Sequence, residues 1–562
     1  MRRFVLGALV FLSACGNRKS DPPVEPEPPS QEETIYCAEV VLTKQGHVCA
    51  GSPLPAEAFA HRIETRVLRA AAGKVTRVER RTGRGALVED DDGIATWDVE
   101  YQGDVVARLT AKRQSGAVSY VIHIDEGGQH MLYRDRFGRP KRVWDTDVVE
   151  QRISFDARGF PETSKYFDIE GKPTQDEWGA YARRYVRRDD GARLESTILD
   201  AALNPMVGFE GSATIRDDRD ERGQLLGQGH FDAEGRPTVS SYGAHRFEGT
   251  LDSWGNYRGS DFFGLAGEKV ADARESFAWR NTVDDGGCIT EHVRLGADGK
   301  PAAGRDGWAK NARVCDETGR AIEWQYFDSE GRPRSPDKPG GYTRVRLELD
   351  DRGRHVGKRY WDAQGNPDRP ISFEARKLDD DDRVLEMWMQ GPDGHLAAEK
   401  NSRVARERHV YDGFGQDTET SYFDVDDRPT DHRFGYAKVT RRHDETGKVV
   451  EEHFTDAAGA PVVVYQTRLL GIRFGEKSGR SRDEALHDAR EAVERIRGGM
   501  EFERAVLDYG DRALHRARGK RPKAAASYFV KPIAEALATM KVGDVSDVLE
   551  GPTNMFIVKR EE

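Results

Sequence analysis

Two apolar patterns divide this chain. From about residue 115 to residue 464, short runs alternate apolar and polar positions, as in Glu323-Trp324-Gln325-Tyr326-Phe327. A period of two sends successive side chains to opposite faces of a strand. The runs are punctuated by glycines in strict register: Gly159, Gly191, Gly223, Gly255, Gly287 and Gly319 stand 32 residues apart. A second series, Gly171, Gly235, Gly267, Gly299 and Gly331, keeps that register, with Leu203 in the one gap. The unit reads D-x-x-G, then eight residues, Y-F-D-x-x-G-x-P, five residues, and G-[YAW]-A. In such turns Asp accepts hydrogen bonds from nearby amides and Gly supplies a positive φ, while the Tyr, Phe, Trp, Val and Arg between them suit strands. Helical repeats of similar length do not fit, because two glycine turns per unit would break both helices. The pattern predicts two or three antiparallel strands per unit, stacked into a ribbon-like sheet or an open solenoid.

The flanking regions read differently. In residues 35–114, Pro55 to Ala72 has helical character and Thr96 to Thr110 reads as strands, which predicts a small α+β or β domain. At residue 465 the period changes. An apolar strand, Leu469 to Phe474, precedes a helix opened by Ser481 and Glu484, the reciprocal pair of a capping box. Ala485, Ala489, Val493 and Ile496 give that helix a narrow apolar stripe, and Gly498-Gly499 end it. Short helices follow near Phe502 to Tyr509 and Pro532 to Thr539, and a last strand runs from Met555 to Lys559.

This order resembles the parvulin (PpiC-like) peptidyl-prolyl isomerases. Gly499-Met500-Glu501-Phe502 matches the family's entry to its second helix, Gly543-Asp544-Val545-Ser546 its later loop, and Phe556-Ile557-Val558-Lys559-Arg560 its closing strand. The resemblance implies an α+β domain over residues 465–562 that binds unfolded or proline-containing polypeptide. It maps the proline pocket onto Phe529, Ile533 and Met540, with Phe556 as a fourth binding residue, and the family's Cys/Asp position onto Asp511 as the candidate catalytic group. The departures are specific. No histidine lies between Tyr465 and Gly475, Phe556 replaces the closing-strand histidine, and a basic segment, Arg512 to Lys523, replaces the glycine-rich loop. Twisting an imide against a barrier of roughly 18–20 kcal/mol needs a site that fits the twisted form better than the planar one. An apolar pocket can do this weakly, so the expectations divide between an isomerase with a degenerate site, a holding chaperone, and a non-catalytic scaffold whose last domain is a peptide clamp or structural cap. The basic segment is either a solvated loop or a receiver of acidic peptide. The repeats, for their part, resemble bacterial aromatic-Asp-Gly strand repeats of the YD or MORN kind.

Arg2-Arg3 and the apolar run Phe4 to Leu12 have the form of a secretory signal. The run ends in Leu12-Ser13-Ala14-Cys15, which resembles the bacterial lipobox and implies lipidation at Cys15. Gly16 after it favours the outer over the inner membrane of a cell envelope. Residues 16–34 are rich in proline and charge and read as a tether. With Cys15 set aside, Cys37–Cys49 and Cys288–Cys315 remain as disulfide pairs suited to an exported chain. In the repeat register Cys315 matches Val283, just before the turn that Cys288 follows, so the second pair joins neighbouring units. The absence of a C-x-x-C spacing argues against zinc, and one Asp per turn does not converge as calcium ligands must; no metal or other cofactor is expected. The net charge of −11 argues against a nucleic-acid partner. The resulting expectation is a mainly β protein, an elongated antiparallel β-repeat array followed by an α+β parvulin-like domain. Its segments are a signal (1–15), a tether (16–34), a small domain (35–114), the array (115–464) and the parvulin-like domain (465–562).

Overall fold

The computed structural model describes residues 32–562 apart from 337–340, 369, 399–402, 476–477, 512–513 and 515–516. Cys15 and the tether up to residue 31 lie outside them; the end of the expected tether, Glu33-Thr34, already belongs to the first strand, Glu33–Cys37. One antiparallel sheet of 27 strands dominates. Glu33–Cys37 pairs with Thr65–Ala71, and from there each strand of the sheet pairs with the next, as far as Val449–Thr455.

The unit from residue 150 shows how the sequence builds this. Strand Glu150–Phe155 ends at Asp156. The Asp156 carboxylate accepts hydrogen bonds from the amides of Arg158 (2.9 Å) and Phe160 (3.0 Å), and its carbonyl accepts from Gly159 (3.0 Å). The return strand, Pro161–Phe167, runs into a second turn at Asp168, closed by an isolated bridge from Phe167 to Pro173. A third turn, Asp176 to Gly179, leads into Ala182–Arg187. This unit therefore contributes two strands and three Asp-opened turns; in other units Ser240, Gly208, Gly304 or His432 opens the third turn. The aspartates are occupied by local amides, and among the described residues no cluster could hold a metal ion. At the one gap in the second glycine series Leu203 adopts φ 70°, the left-handed conformation the register imposes whatever residue occupies it.

The array coils back on itself. The right-handed twist of successive strands accumulates, and the sheet coils until its early tips rest on later turns. The Gly51 and Ser52 amides donate to the Asp190 and Glu221 carbonyls, both at 3.0 Å. His61 Nδ1 lies 2.7 Å from the Asp285 carbonyl, the Thr82 hydroxyl donates to the Thr318 carbonyl at 2.6 Å, and the Phe137 and Phe414 rings meet edge to face at 5.6 Å. Close approach makes glycine obligatory at these turns: a Cβ at Gly223 would strike the Ala50 carbonyl, and one at Gly287 the Arg62 carbonyl.

Residues 35–114 contribute the first strands of the large sheet and also form a separate two-stranded sheet, Val40–Thr43 with Gly46–Cys49. Only Ala56–Phe59 is helical; Thr65–Ala71, expected to continue a helix, is a strand held between Glu33–Cys37 and Lys74–Arg81. Strands Thr96–Gln102 and Val105–Lys112 fall where alternation placed them. Repeated aromatics pack as core. Trp97, Tyr120, Tyr133, Trp144 and Tyr166 form a ladder with centroids 5.5–6.0 Å apart. Cys37 and Cys49 are disulfide-bonded with Cα atoms 5.3 Å apart, and Cys288 and Cys315 with 6.3 Å.

Residues 465–562 form a separate α+β unit. Strand Thr467–Arg473 pairs antiparallel with Asn554–Arg560, which also pairs with Leu549–Glu550. Helices Arg482–Arg497 and Phe502–Tyr509 cover one face. Helix Lys531–Thr539 lies on the other. Both bonds of the Ser481/Glu484 capping box are present. Among the described residues no helix is long and apolar enough to cross a membrane.

Candidate functional site

Alternation along the two long strands of the C-terminal unit sorts its apolar residues. Leu470, Ile472, Met555 and Ile557 face the helices Arg482–Arg497 and Phe502–Tyr509, packing on Ala485, Ala489, Val493, Phe502 and Val506. Leu469, Phe556 and Val558 face the other way and join Phe529, Ile533, Leu537 and Met540 in one cluster. The four residues singled out for binding, Phe529, Ile533, Met540 and Phe556, thus stand together although they span 28 positions. They are not equivalent. Ile533 is 3% exposed and is a core residue, whereas Phe529, Met540 and Phe556 are half-buried and present surface.

Phe556 lies directly across the sheet from Gly471. A Cβ on Gly471 would sit 3.6 Å from the Phe556 ring and 3.4 Å from Leu514, and one on Gly551 would lie 2.5 Å from the ring. The ring therefore occupies the space between two glycines, and neither cross-strand position offers a titratable side chain.

Asp511 stands beside this place. Its amide donates to the Gly471 carbonyl at 2.8 Å. Its carboxylate accepts from the Arg473 amide and the Asn554 side-chain amide, both at 3.3 Å, with Arg473 Nε 3.8 Å away. It ties two strand ends together, and the apolar cluster is built without it.

Part of the basic segment docks on the array. Arg512 and Arg516 lie outside the described residues. Gly519 to Arg521 runs along the outer edge of strand Thr467–Arg473, with Leu469 N donating to Gly519 O at 2.7 Å and Arg521 N to Thr467 O at 2.9 Å. Arg518 projects into the array, 3.0 Å above the Phe209 ring centroid and 3.4 Å from Gln175 Oε1. Burial, with Arg468 nearby, pushes its guanidinium down to about 10. Lys523 pairs with Glu452 at 2.8 Å and with Glu562. Ala525 N donates to Phe434 O at 2.8 Å, and Tyr528 meets the Phe434 ring at 5.2 Å. These docking residues were invisible in the sequence, because their partners lie up to 343 positions away.

No family model matches the chain, and no curated protein matches it. Among solved structures, it is similar over 18% of its length to a PpiC-type peptidyl-prolyl cis-trans isomerase domain, with 15% identity, 89% of that chain covered and a TM-score of 0.16. PrsA from Bacillus subtilis is similar over the same share, with 17% identity, 35% of that chain and a TM-score of 0.15. The TcdB2-TccC3 structure without its hypervariable C-terminal region is similar over 74% of this chain and 20% of that one, with 10% identity and a TM-score of 0.29.

Proposed function

We propose that residues 465–562 are a parvulin-like module that holds extended, proline-containing polypeptide and isomerises it slowly or not at all. The observation that carries this reading is the gathering of Phe529, Met540 and Phe556 as half-exposed apolar side chains on one sheet face, with Gly471 opposite Phe556. An apolar face can desolvate a proline ring. Without imidazoles across the sheet, little there favours a twisted imide over a planar one. In this reading the chain is a lipid-anchored protein of the cell envelope, outer membrane rather than inner, working on polypeptides outside the cytoplasm. Cys15→Ser is then expected to release it from the membrane fraction or to leave its precursor uncleaved; normal processing and unchanged fractionation count against the anchor.

Ile533 is unsuitable for testing the binding face, because a charge there would disrupt the core. Phe529→Asp in the full chain places a carboxylate at the half-exposed rim. It is expected to weaken binding of an unfolded, proline-containing peptide at least about tenfold, since a charge on an apolar contact must be desolvated. Unchanged affinity would remove this face from the account.

A second reading is favoured by the docking contacts of Arg518, Lys523 and Ala525: the unit is a structural cap on the coil. A full-length chain that binds no such peptide would leave this reading standing alone.

A further inference from the structure

The sheet stops at Val449–Thr455, and among the described residues no strand pairs with its outer side, where Lys523 meets Glu452 at 2.8 Å. In earlier units the strand that follows completes two kinds of bond. The first is backbone: Tyr422 N donates to Ala437 O (2.9 Å), Arg294 N to Ala309 O (2.8 Å) and Ile198 N to Ala213 O (2.7 Å). The equivalent donor in the last strand, Phe454 N, has no such partner among the described residues, because the chain turns away at Val464-Tyr465 to pair with Ala524-Ala525. The second is ionic. The third residue of the return strand is glutamate in several units, and the next strand supplies its cation: Glu195 to Arg216 (3.0 Å), Glu291 to Lys310 (2.9 Å), Glu386 to Arg408 (3.1 Å) and Glu419 to Lys438 (2.6 Å). Glu451 holds that place in the last strand. It is exposed and, among the described residues, is met only from its own hairpin, by Arg442 (2.9 Å) and His453 (3.0 Å). Next to it in the chain, Glu452 to Thr455 border a groove of about 400 Å³ between the strand and the C-terminal unit, lined also by Pro461, Val463 and Lys523. Val463 is 70% exposed.

We propose that this edge takes up an extended segment of another polypeptide as a further antiparallel strand, one with a small or apolar residue followed by Lys or Arg. The array itself specifies that chemistry: the strand answering Glu419 reads Tyr436-Ala437-Lys438, and a segment of the same kind would bond Phe454 N, place its cation at Glu451 and lay an apolar side chain against Val463. Main-chain bonds would supply the affinity and Glu451 the selectivity. The proposal does not depend on the Phe529 face.

The test uses the full chain and a synthetic peptide with the sequence of residues 434–443, FGYAKVTRRH. Saturable binding is expected, with slowed amide exchange confined to residues 449–455. Glu451→Lys, at an exposed position, should weaken binding at least about tenfold through like-charge opposition. A peptide with its lysine changed to Glu should bind as weakly to the unaltered chain, and Phe529→Asp, which acts on the other face, should leave binding of the 434–443 peptide at the parent's level. Three results would overturn the proposal: no binding, protection elsewhere, or a Glu451-dependent self-association without peptide, which would assign the edge to a second copy. Loss of this binding with the Phe529-dependent binding intact would leave the proposed module untouched.

Discussion

Arg62→Ala is expected to destabilise the protein by about 2–5 kcal/mol, the range for stripping a buried cation from the acceptors it satisfies. Arg62 is 7% exposed, at the point where the first coil meets the second. Its guanidinium donates to Gln224 Oε1 at 2.7 Å, the Trp254 carbonyl at 2.6 Å and the Glu64 carbonyl at 3.1 Å. Burial lowers its pKa, while the nearby carboxylates of Asp252, Asp220 and Glu64 oppose that and help keep the charge. Alanine would leave a void and orphan these oxygens. The adjoining contacts should loosen with it: Ile63 N to Asn256 Oδ1 (2.8 Å) and Asn256 Nδ2 to His61 O (2.8 Å). Thermal unfolding with amide exchange would read the result, with protection lost first around residues 51–63 and 254–256. An unchanged midpoint and unchanged exchange would mean that the coils do not support each other.

The second large effect is expected from Cys288→Ala with Cys315→Ala. The bond closes a segment with a sequence separation of 27, and the chain-entropy relation assigns such a loop about 3–4 kcal/mol. Its Cα separation of 6.3 Å lies within the range that disulfides span without backbone movement. Without reductant, denaturant unfolding of the double variant should show a lower midpoint than the parent's; reductant, which also opens Cys37–Cys49, should remove that difference. Non-reducing peptide mapping checks the pairing itself. Equal midpoints for parent and variant would contradict the expected stabilisation.

Turn chemistry was legible because it is local. An aspartate that bonds amides two and four positions ahead, and a glycine at positive φ, leave their mark within five residues, so the 32-residue register could be read without tertiary information. Even the exception at Leu203 keeps its backbone conformation. The apolar group of the last unit was legible for a related reason: its residues sit at fixed places in short elements whose order resembles a known family. What failed was what distant partners decide. Thr65–Ala71, with Leu68, Ala70 and Ala71, reads as a helix in isolation, but strands on both sides make it part of the sheet. Arg62 carries no local signal, since Gln224 and Trp254 lie 162 and 192 positions away. The coiling of the array is a sum of small strand twists, which no single unit displays. Arg518 has the local sequence of a solvated or peptide-receiving loop, because Phe209, on which it stacks, is far away along the chain.

Holding polypeptide without efficient isomerisation is the central claim, and parallel measurement on the full chain tests it most directly. A proline-containing peptide would be titrated for binding while its cis-trans exchange is followed under the same conditions. Saturable binding is predicted, with an exchange rate well below that of a parvulin carrying both histidines. A rate equal to such an enzyme's, or no binding at any proline content, would contradict the account.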